Sequence, residues 1–290
     1  MFRGSEPLRR PGASYGSEDD RTAGCGLIAQ LSQGAISDSQ SSPPTAVTWL
    51  GHATVLIEID GVRLLTDPTL RGRIGPLVRV APPVQRSAIG HVDCVLLSHL
   101  HADHTHLSSL RDLGLATPIV APRPAGAWLA RHGLTIVSEL APGLQTTVGD
   151  LRVTATPAAH ERRRRPLGPF AEPVGYLIRG SRAVYFAGDT DLFEEMSELR
   201  GSVDIALLPV AGWGPKLGPG HLDPERAARA AALISPAVAI PIHWGTFAPG
   251  WHLRRPADLE HAAREFDRYA HQYAPSVEVR ILVPGQRTEL

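Results

Sequence analysis

Four residues that commonly bind metal ions stand close together in segment 98–106, which reads SHLHADHTH. They are His99, His101, Asp103 and His104, and they follow an apolar run at 92–97 that is typical of a buried strand. Imidazole and carboxylate groups suit zinc and similar divalent ions. On a turn that leaves a strand, the first two histidines can converge on one ion and the other pair on a second ion nearby. The alternative, a solvated histidine-rich loop, fits a lone His-x-His better than this larger set.

Three further candidate ligands each stand at the end of an apolar run. His160 ends TATPAAH, Asp189 lies in YFAGDT, and His243 lies in AIPIHWGT. Ligands from the ends of separate strands can meet at one edge of a sheet. The complete order, His-x-His-x-Asp-His and then a His, an Asp and a last His, resembles the metallo-β-lactamase fold superfamily. The resemblance covers residues 46–285, which is most of the chain.

This resemblance implies an α/β fold of the αββα sandwich type, with a dinuclear metal site at one edge of two facing sheets. It assigns His99, His101 and His160 to one ion, Asp103, His104 and His243 to the other, and Asp189 to a bridging position. We expect two divalent ions, with zinc as the first choice and manganese or iron as alternatives. A water molecule shared by two ions should lose a proton near neutral pH. The chain is therefore expected to be a metal-dependent hydrolase that uses a metal-bridging hydroxide, with Asp103 among its catalytic residues.

Segments outside the ligands resemble one branch of this superfamily. GHATVLIEIDGVRLLTDP, GHLDPERA and AIPIHWGTF are similar to the branch that contains N-acyl-phosphatidylethanolamine phospholipase D and, more distantly, the phosphorylated-ascorbate lactonases. The resemblance implies phosphodiester, phospholipid-like substrates. A lactonase or other carboxylic-ester hydrolase is the alternative, and an inactive scaffold is the second alternative. His221 matches a histidine that faces the active site in this branch and is expected to be catalytic. Its other interpretation is a local hydrogen-bonding partner of its loop.

Other residues have weaker signals. Asp67, in LLTDP, resembles an aspartate that supports the metal-binding loop, although an Asp before Pro68 can equally cap a turn. Arg162 and Arg163 begin a run of arginines just after His160, and guanidinium groups suit phosphate. A solvated charge run is the alternative. The sequence assigns no metal role to the remaining histidines, namely His52, His91, His106, His132, His252, His261 and His271.

The elements that must position these residues follow from turn signals and apolar runs. Segment 1–44 is polar and is predicted to be disordered, which leaves residues 45–290 as one hydrolase domain. Asp60-Gly61 predicts a hairpin turn, and Asp223-Pro224 predicts a helix start. The segment 68–90 is interpreted as a long loop without regular structure that either contacts a membrane or covers a soluble substrate.

Composition narrows the partners and the compartment. Basic and acidic residues are equal in number, 29 of each, so the net charge argues against binding to nucleic acid. Two cysteines offer no disulfide framework, and no apolar run reaches the length of a membrane span, so we expect a cytoplasmic protein. The expected partner is a small-molecule or lipid-like ester, with peripheral membrane contact through segment 68–90 as an option. The oligomeric state is left open.

Overall fold

The computed structural model describes residues 44–164, 168–212, 217–250 and 259–290. The segment predicted to be disordered, 1–44, lies outside these ranges except for Pro44. Within these ranges the strands, in chain order, are β1 Ala46–Gly51, β2 Thr54–Ile59, β3 Val62–Thr66, β4 Arg73–Ile74, β5 Leu77–Arg79, β6 Cys94–Leu96, β7 Ile119–Pro122, β8 Val137–Leu140, β9 Gln145–Val148, β10 Leu151–Pro157, β11 Val174–Arg179, β12 Ala183–Phe186, β13 Ile205–Pro209, β14 Val238–Ile242, β15 Phe247–Pro249, β16 Glu278–Val279 and β17 Arg287–Glu289. The helices are α1 Arg86–Ile89, α2 Leu107–Leu113, α3 Gly126–Arg131, α4 Pro224–Ile234 and α5 His261–Tyr273, with a 3-10 helix at Glu194–Leu199.

Two large sheets carry the fold in the described part of the chain. The first has the order β17-β1-β2-β3-β6-β7-β8, and the second has the order β16-β14-β13-β12-β11-β10-β9. Strands β1 to β3 pair antiparallel, whereas β3, β6, β7 and β8 pair parallel. Asp60 and Gly61, which join β2 to β3, have φ angles of 51° and 82°. These values match the two-residue hairpin turn that the sequence predicts.

Alternation along β2 shows how the layers stack. Val55 and Ile57 belong to a core that they share with Tyr176 and Phe186 of the second sheet, whereas Leu56 points to the other face. The Tyr176 hydroxyl donates a hydrogen bond to the Leu97 carbonyl at 2.7 Å, which ties β11 to the first sheet. The two sheets therefore face each other.

Helices cover the outer faces. Leu56 shares a second core with Leu110 of α2 and Leu129 of α3, while the buried Ala231 of α4 and Phe266 of α5 pack with the second sheet. The result is the αββα sandwich that the resemblance implies. Helix α4 begins as predicted, because the Asp223 side chain accepts a hydrogen bond from the Arg226 amide at 2.8 Å.

Segment 68–90 has regular structure, so the prediction of a long structureless loop is wrong. Strands β4 and β5 form a small sheet with β15, in which Val78 lies opposite Ala248, and α1 follows. The sequence also missed strands β8 and β17. Both strands are short. Strand β8 has four residues and pairs with β7, whereas β17 has three residues and pairs with β1 from the other end of the described chain. No helix in the described ranges has both the length and the apolar character needed to cross a bilayer.

Candidate metal centre

The ends of four strands deliver the candidate ligands to one edge of the sandwich. The loop after β6 carries His99, His101, Asp103 and His104, and the residues after β10, β12 and β14 are His160, Asp189 and His243. The two sheets meet closely here, because the Val174 amide donates to the Ser98 carbonyl at 2.9 Å. A Cβ atom at Gly188, whose φ is 62°, would lie only 2.6 Å from the Ser98 Cβ. Glycine before Asp189 thus allows the second sheet to approach the ligand loop.

Three histidines form the first group of candidate ligands. His99 Nε2 lies 3.0 Å from His101 Nδ1, and His160 Nε2 lies 3.1 Å from the same atom. The other, outer nitrogen of two of these rings faces a carbonyl oxygen. His160 Nδ1 lies 2.6 Å from the Gly220 oxygen, and His101 Nε2 lies 3.1 Å from the Arg163 oxygen. A carbonyl can only accept a hydrogen bond, so each outer nitrogen carries the proton. The inner nitrogens then face one another with lone pairs, which is the arrangement that a cation stabilises.

A second group of candidate ligands lies beside the first. His104 Nε2 lies 3.2 Å from His243 Nε2 and 3.8 Å from Asp103 Oδ2. The outer nitrogen of His243 donates to the Ala211 carbonyl at 2.6 Å, which again leaves the inner nitrogen as an acceptor. His52 belongs to this group too, and the four candidate ligand atoms lie within 4.8 Å of one another.

Asp189 lies between the two groups. Its Oδ2 is 3.2 Å from His104 Nε2 and 4.0 Å from His160 Nε2, and its Oδ1 is 3.3 Å from His243 Nε2. The side chain is buried, and Oδ1 makes no hydrogen bond of acceptable geometry in the described structure. Buried polar atoms normally have a partner, so this oxygen suits a bound cation. The donor set as a whole fits divalent ions such as zinc.

Four histidines of the site are held in the neutral form that can bind a metal ion. Burial lowers the pKa of His99 and His101, and it lowers the pKa of His160 to about 4 and of His243 to about 3. These four imidazoles are therefore neutral at neutral pH, which is the form that binds metals.

His104 and the carboxylates have the complementary charges. Although burial opposes the shift, the carboxylates of Asp189 and Asp103 hold the pKa of His104 well above its usual value. Although burial also opposes ionisation of Asp103 and Asp189, the neighbouring His104 holds the pKa of both below the usual range. The site is thus an anionic pocket that one proton on His104 only partly neutralises. A divalent ion would replace that proton.

Asp67 supports one histidine of each group. Its carboxylate is fully buried and accepts hydrogen bonds from the Ser98 amide at 2.8 Å, the Ser98 hydroxyl at 2.5 Å and His104 Nδ1 at 2.7 Å. Because the Ser98 hydroxyl donates to Asp67, its oxygen accepts from His99 Nδ1 at 2.9 Å. One carboxylate therefore orients His104 directly and His99 through Ser98.

A cavity of about 500 Å³ opens beside the candidate ligands. Its described lining consists of His101, Ala102, Asp103, His160, Glu161, Asp189, Gly218, Pro219 and His221. His221 Nε2 lies 3.5 Å from Asp189 Oδ2, and the side chain is 26% exposed, so the ring can reach a molecule in the cavity. The backbone of His221 is held by Arg226, whose guanidinium donates to the His221 carbonyl at 2.7 Å.

The arginines after His160 do not line this cavity in the described structure. Arg162 lies 3.7 Å from Glu172, and Arg163 donates to the Gly168 carbonyl at 3.5 Å. Arg164 donates to the carbonyls of Leu100 and Thr105, at 2.5 Å and 3.2 Å, and so braces the ligand loop. Contact of Arg162 or Arg163 with a substrate stays a prediction. No residue of segment 68–90 is part of the described lining either.

His52 lies at the site, whereas the sequence pattern predicts no metal role for it. Its Nε2 is 3.1 Å from Asp103 Oδ2, and its ring centre is 3.9 Å from that of His243. The position of His52 at the end of β1 could have suggested it, because the other candidate ligands also follow strands. Three of the non-glycine residues with positive φ in the described structure lie here, with φ of 54° for His52, 33° for Asp67 and 65° for His243. Such backbone conformations concentrate at functional sites.

Comparison with known proteins gives a consistent result. The profile of the Beta-lactamase superfamily domain matches residues 62–244. A UPF0173 metal-dependent hydrolase of Methanopyrus kandleri is 34% identical over 250 residues, which cover 84% of this chain and 99% of that protein. The N-acyl-phosphatidylethanolamine-hydrolyzing phospholipase D 1 of Caenorhabditis elegans is 28% identical over 240 residues, covering 73% of this chain and 67% of that protein. A metallo-hydrolase of Ignicoccus hospitalis superposes with a TM-score of 0.66 at 25% identity, covering 86% of this chain and 99% of that chain.

Proposed function

The chain belongs to the metallo-β-lactamase superfamily and is a metal-dependent hydrolase, and from that premise we propose that it uses two divalent ions to hydrolyse phosphodiesters. The observation that carries the proposal is the pair of ligand groups joined by Asp189. One carboxylate lies within 4.0 Å of histidine nitrogens in both groups. A mononuclear site would not need two converging sets of imidazoles.

The proposed ligands are those named from the sequence. His99, His101 and His160 would hold one ion, Asp103, His104 and His243 the other, and Asp189 would contact both. Zinc suits this donor set best, and manganese and iron are the alternatives. Bound ions of this kind supply Lewis acidity and make water acidic enough to attack an ester near neutral pH. The neutral imidazoles preserve that Lewis acidity, because they add no negative charge.

His221 is the proposed proton donor. Its Nδ1 donates to the Gly218 carbonyl at 3.3 Å, which directs Nε2 to the cavity side of the ring, next to Asp189. When a phosphodiester bond breaks, the departing alkoxide needs a proton, and a positioned imidazolium can supply it from Nε2. Arg226 keeps the loop in place through the His221 carbonyl.

The similarity to a phospholipase D supports phosphodiesters over other esters, and it extends over 240 residues. A second candidate, hydrolysis of a lactone or another carboxylic ester, is favoured by the described cavity lining. That lining contains Glu161 but no arginine or lysine, and such a surface suits an uncharged ester. The substrate would be a small or lipid-like ester in either case.

A substrate panel with matched variants tests this proposal. The purified protein should contain about two divalent ions per chain and should hydrolyse bis(p-nitrophenyl) phosphate faster than a lactone or a p-nitrophenyl carboxylic ester. His221→Ala should keep both ions while turnover falls by about 10²- to 10⁴-fold. His271→Ala is the control, because His271 is 78% exposed on α5. A preference for the lactone would favour the second candidate, and loss of an ion from His221→Ala would make His221 a ligand.

The remaining parts of the proposal concern surroundings. With equal numbers of basic and acidic residues, we propose no nucleic-acid partner. We also propose a cytoplasmic location from the two cysteines. If the substrate is a phospholipid, we expect the protein to contact the membrane surface peripherally. Sedimentation with phospholipid vesicles would test this contact.

A further inference from the structure

His52 stands in the strained turn between β1 and β2 of the first sheet, and this turn is hydrogen-bonded to residues that follow β14 of the second sheet. Its φ is 54°, and the preceding Gly51 has a φ of 108°. The His52 amide donates to Thr246 Oγ1 at 2.6 Å, and its carbonyl accepts from the His243 amide and Trp49 Nε1, both at 2.9 Å. The turn is therefore fixed from both sides of the sandwich. A strained backbone with this much support points to a role for the side chain that it holds.

The side chain of His52 contacts the second ligand group. Nε2 lies 3.1 Å from Asp103 Oδ2, and the ring packs on that of His243 at 3.9 Å, with Phe247 edge-on at 5.5 Å. Its ring also lies 5.1 Å from that of His104. In the described part of the chain, no ring contact or hydrogen bond joins His52 to His99, His101 or His160.

Asp103 needs such a partner. It lies in the turn between His101 and His104, and in the described structure its carboxylate makes one hydrogen bond, to His52. A short carboxylate side chain in a turn can adopt several rotamers. A buried N–H donor that holds one of its oxygens selects one of them. His52 is 2% exposed, so water does not compete well for this contact.

We propose that His52 is a positioning residue for the second metal ion. Its Nε2–H orients the Asp103 carboxylate, and its ring packs against one face of the His243 ring and holds that ring in place. The inference rests on the proposed two-ion function. If the inference is correct, the binding of the two ions depends on His52 to different degrees. The ion held by Asp103, His104 and His243 depends on it, and the ion held by the three other histidines does not.

Two substitutions separate the hydrogen bond from the packing. His52→Phe keeps an aromatic ring against His243 and Phe247 but removes the donor to Asp103. His52→Gln restores a side-chain N–H of similar reach. Loss of a residue that orients a metal ligand typically weakens metal binding about 10- to 100-fold. We expect His52→Phe to weaken one of two zinc ions by that factor and His52→Gln to recover most of the loss.

The experiment is a zinc titration of the metal-free, full-length protein against a chromophoric chelator, with elemental analysis after dialysis. His91→Phe is the matched control, because His91 Nε2 also lies 3.0 Å from an aspartate, Asp93, but its side chain is 78% exposed. Thermal unfolding of each metal-free variant checks the fold. If His52→Phe does not fold, His52→Asn replaces it, since Asn tolerates positive φ and its shorter side chain stops short of Asp103.

The outcomes are distinct. Two zinc ions in the wild type, with one weakened in His52→Phe and recovered in His52→Gln, support the inference. Equal affinities in His52→Phe and the wild type overturn the inference alone, as does an equal weakening of both ions. A His52→Gln variant no better than His52→Phe would also overturn it, because a side-chain N–H donor at this position would then not be what the second ion depends on. A wild type that binds a single ion overturns the two-ion function and this inference together.

Discussion

Asp67→Asn should disturb both halves of the proposed metal centre, because Asp67 accepts a hydrogen bond from His104 of one ligand group and, through Ser98, orients His99 of the other. The substitution keeps the size of the side chain but replaces one carboxylate oxygen with an NH₂ group. Asp67 Oδ2 accepts from both the Ser98 hydroxyl and His104 Nδ1. If the NH₂ group of the asparagine took the position of Oδ2, it would face these two donors. If the amide were flipped, the NH₂ group would take the position of Oδ1 and face the Ser98 amide N–H.

The magnitude follows from those contacts. A hydrogen bond to a charged group contributes about 1.5–3 kcal/mol, and breaking a buried pair by removal of one partner costs about 3–5 kcal/mol. Asp67 and His104 are both fully buried, so little of this loss is relieved by water. We therefore expect the free energy of unfolding to fall by about 3–5 kcal/mol. Without its acceptor, His104 can move its proton to Nε2 and cease to be a ligand, and zinc affinity should fall about 10- to 100-fold.

Urea unfolding and zinc titration of the same protein samples measure both effects. Ser98→Ala removes only the branch to His99, so it should weaken zinc binding less than Asp67→Asn does. Asp93→Asn is the control, because Asp93 also accepts from a backbone amide, that of Arg63 at 2.8 Å, but lies away from the site. Wild-type zinc affinity in Asp67→Asn would refute this reasoning, as would an equal loss in Asp93→Asn.

Three other predictions concern separate parts of the chain. Deletion of residues 1–44 should leave the melting temperature and the metal content unchanged, and a large drop in either would show that this segment supports the fold. Burial raises the pKa of Cys94 to about 12. The neutral thiol is favoured up to that pH and the thiolate is the reactive form, so in a Cys25→Ser variant iodoacetamide should label Cys94 at about pH 8 only after unfolding. Arg226→Met should misplace His221 and so lower turnover roughly tenfold or more. Zinc affinity should stay within about twofold of wild type. A loss of zinc affinity as large as the loss of turnover would contradict the role of Arg226 in holding the His221 loop.

Features with a local cause were predictable from the sequence. The Asp60-Gly61 turn and the Asp223-Pro224 helix start each depend on residues within a few positions. The ligand loop was recognisable for the same reason, since its four candidate ligands stand within one short turn.

Features that depend on distant contacts were not predictable. Strand β5 is three residues long and pairs with β15 far along the chain, so neither strand has a usable period of its own. The contact of His52 with Asp103 spans 51 residues. A single sequence contains nothing that pairs those two positions.

The arginine run shows a third limit. Composition indicates a charged segment, but the direction of each side chain depends on what lies beneath it. Arg164 turns inward to the carbonyls of Leu100 and Thr105 and stacks over Trp128 at 5.1 Å. Its neighbour Arg162 lies near Glu172 instead. The sequence predicts one character for the whole arginine run, either solvated or phosphate-binding. In the structure, its described residues make different contacts.

Each candidate ion draws ligands from both sheets of the sandwich. His99 and His101 follow β6 of the first sheet, whereas His160 follows β10 of the second, and Asp103 and His104 are likewise combined with His243 after β14. Metal binding at these residues would therefore cross-link segments that are far apart in the chain, and so close a large loop of the chain. With the ions bound, separation of the two sheets at this edge would require release of an ion. The amide hydrogens of β6 and β14 should then exchange with solvent as one cooperative unit, at a rate set by metal dissociation.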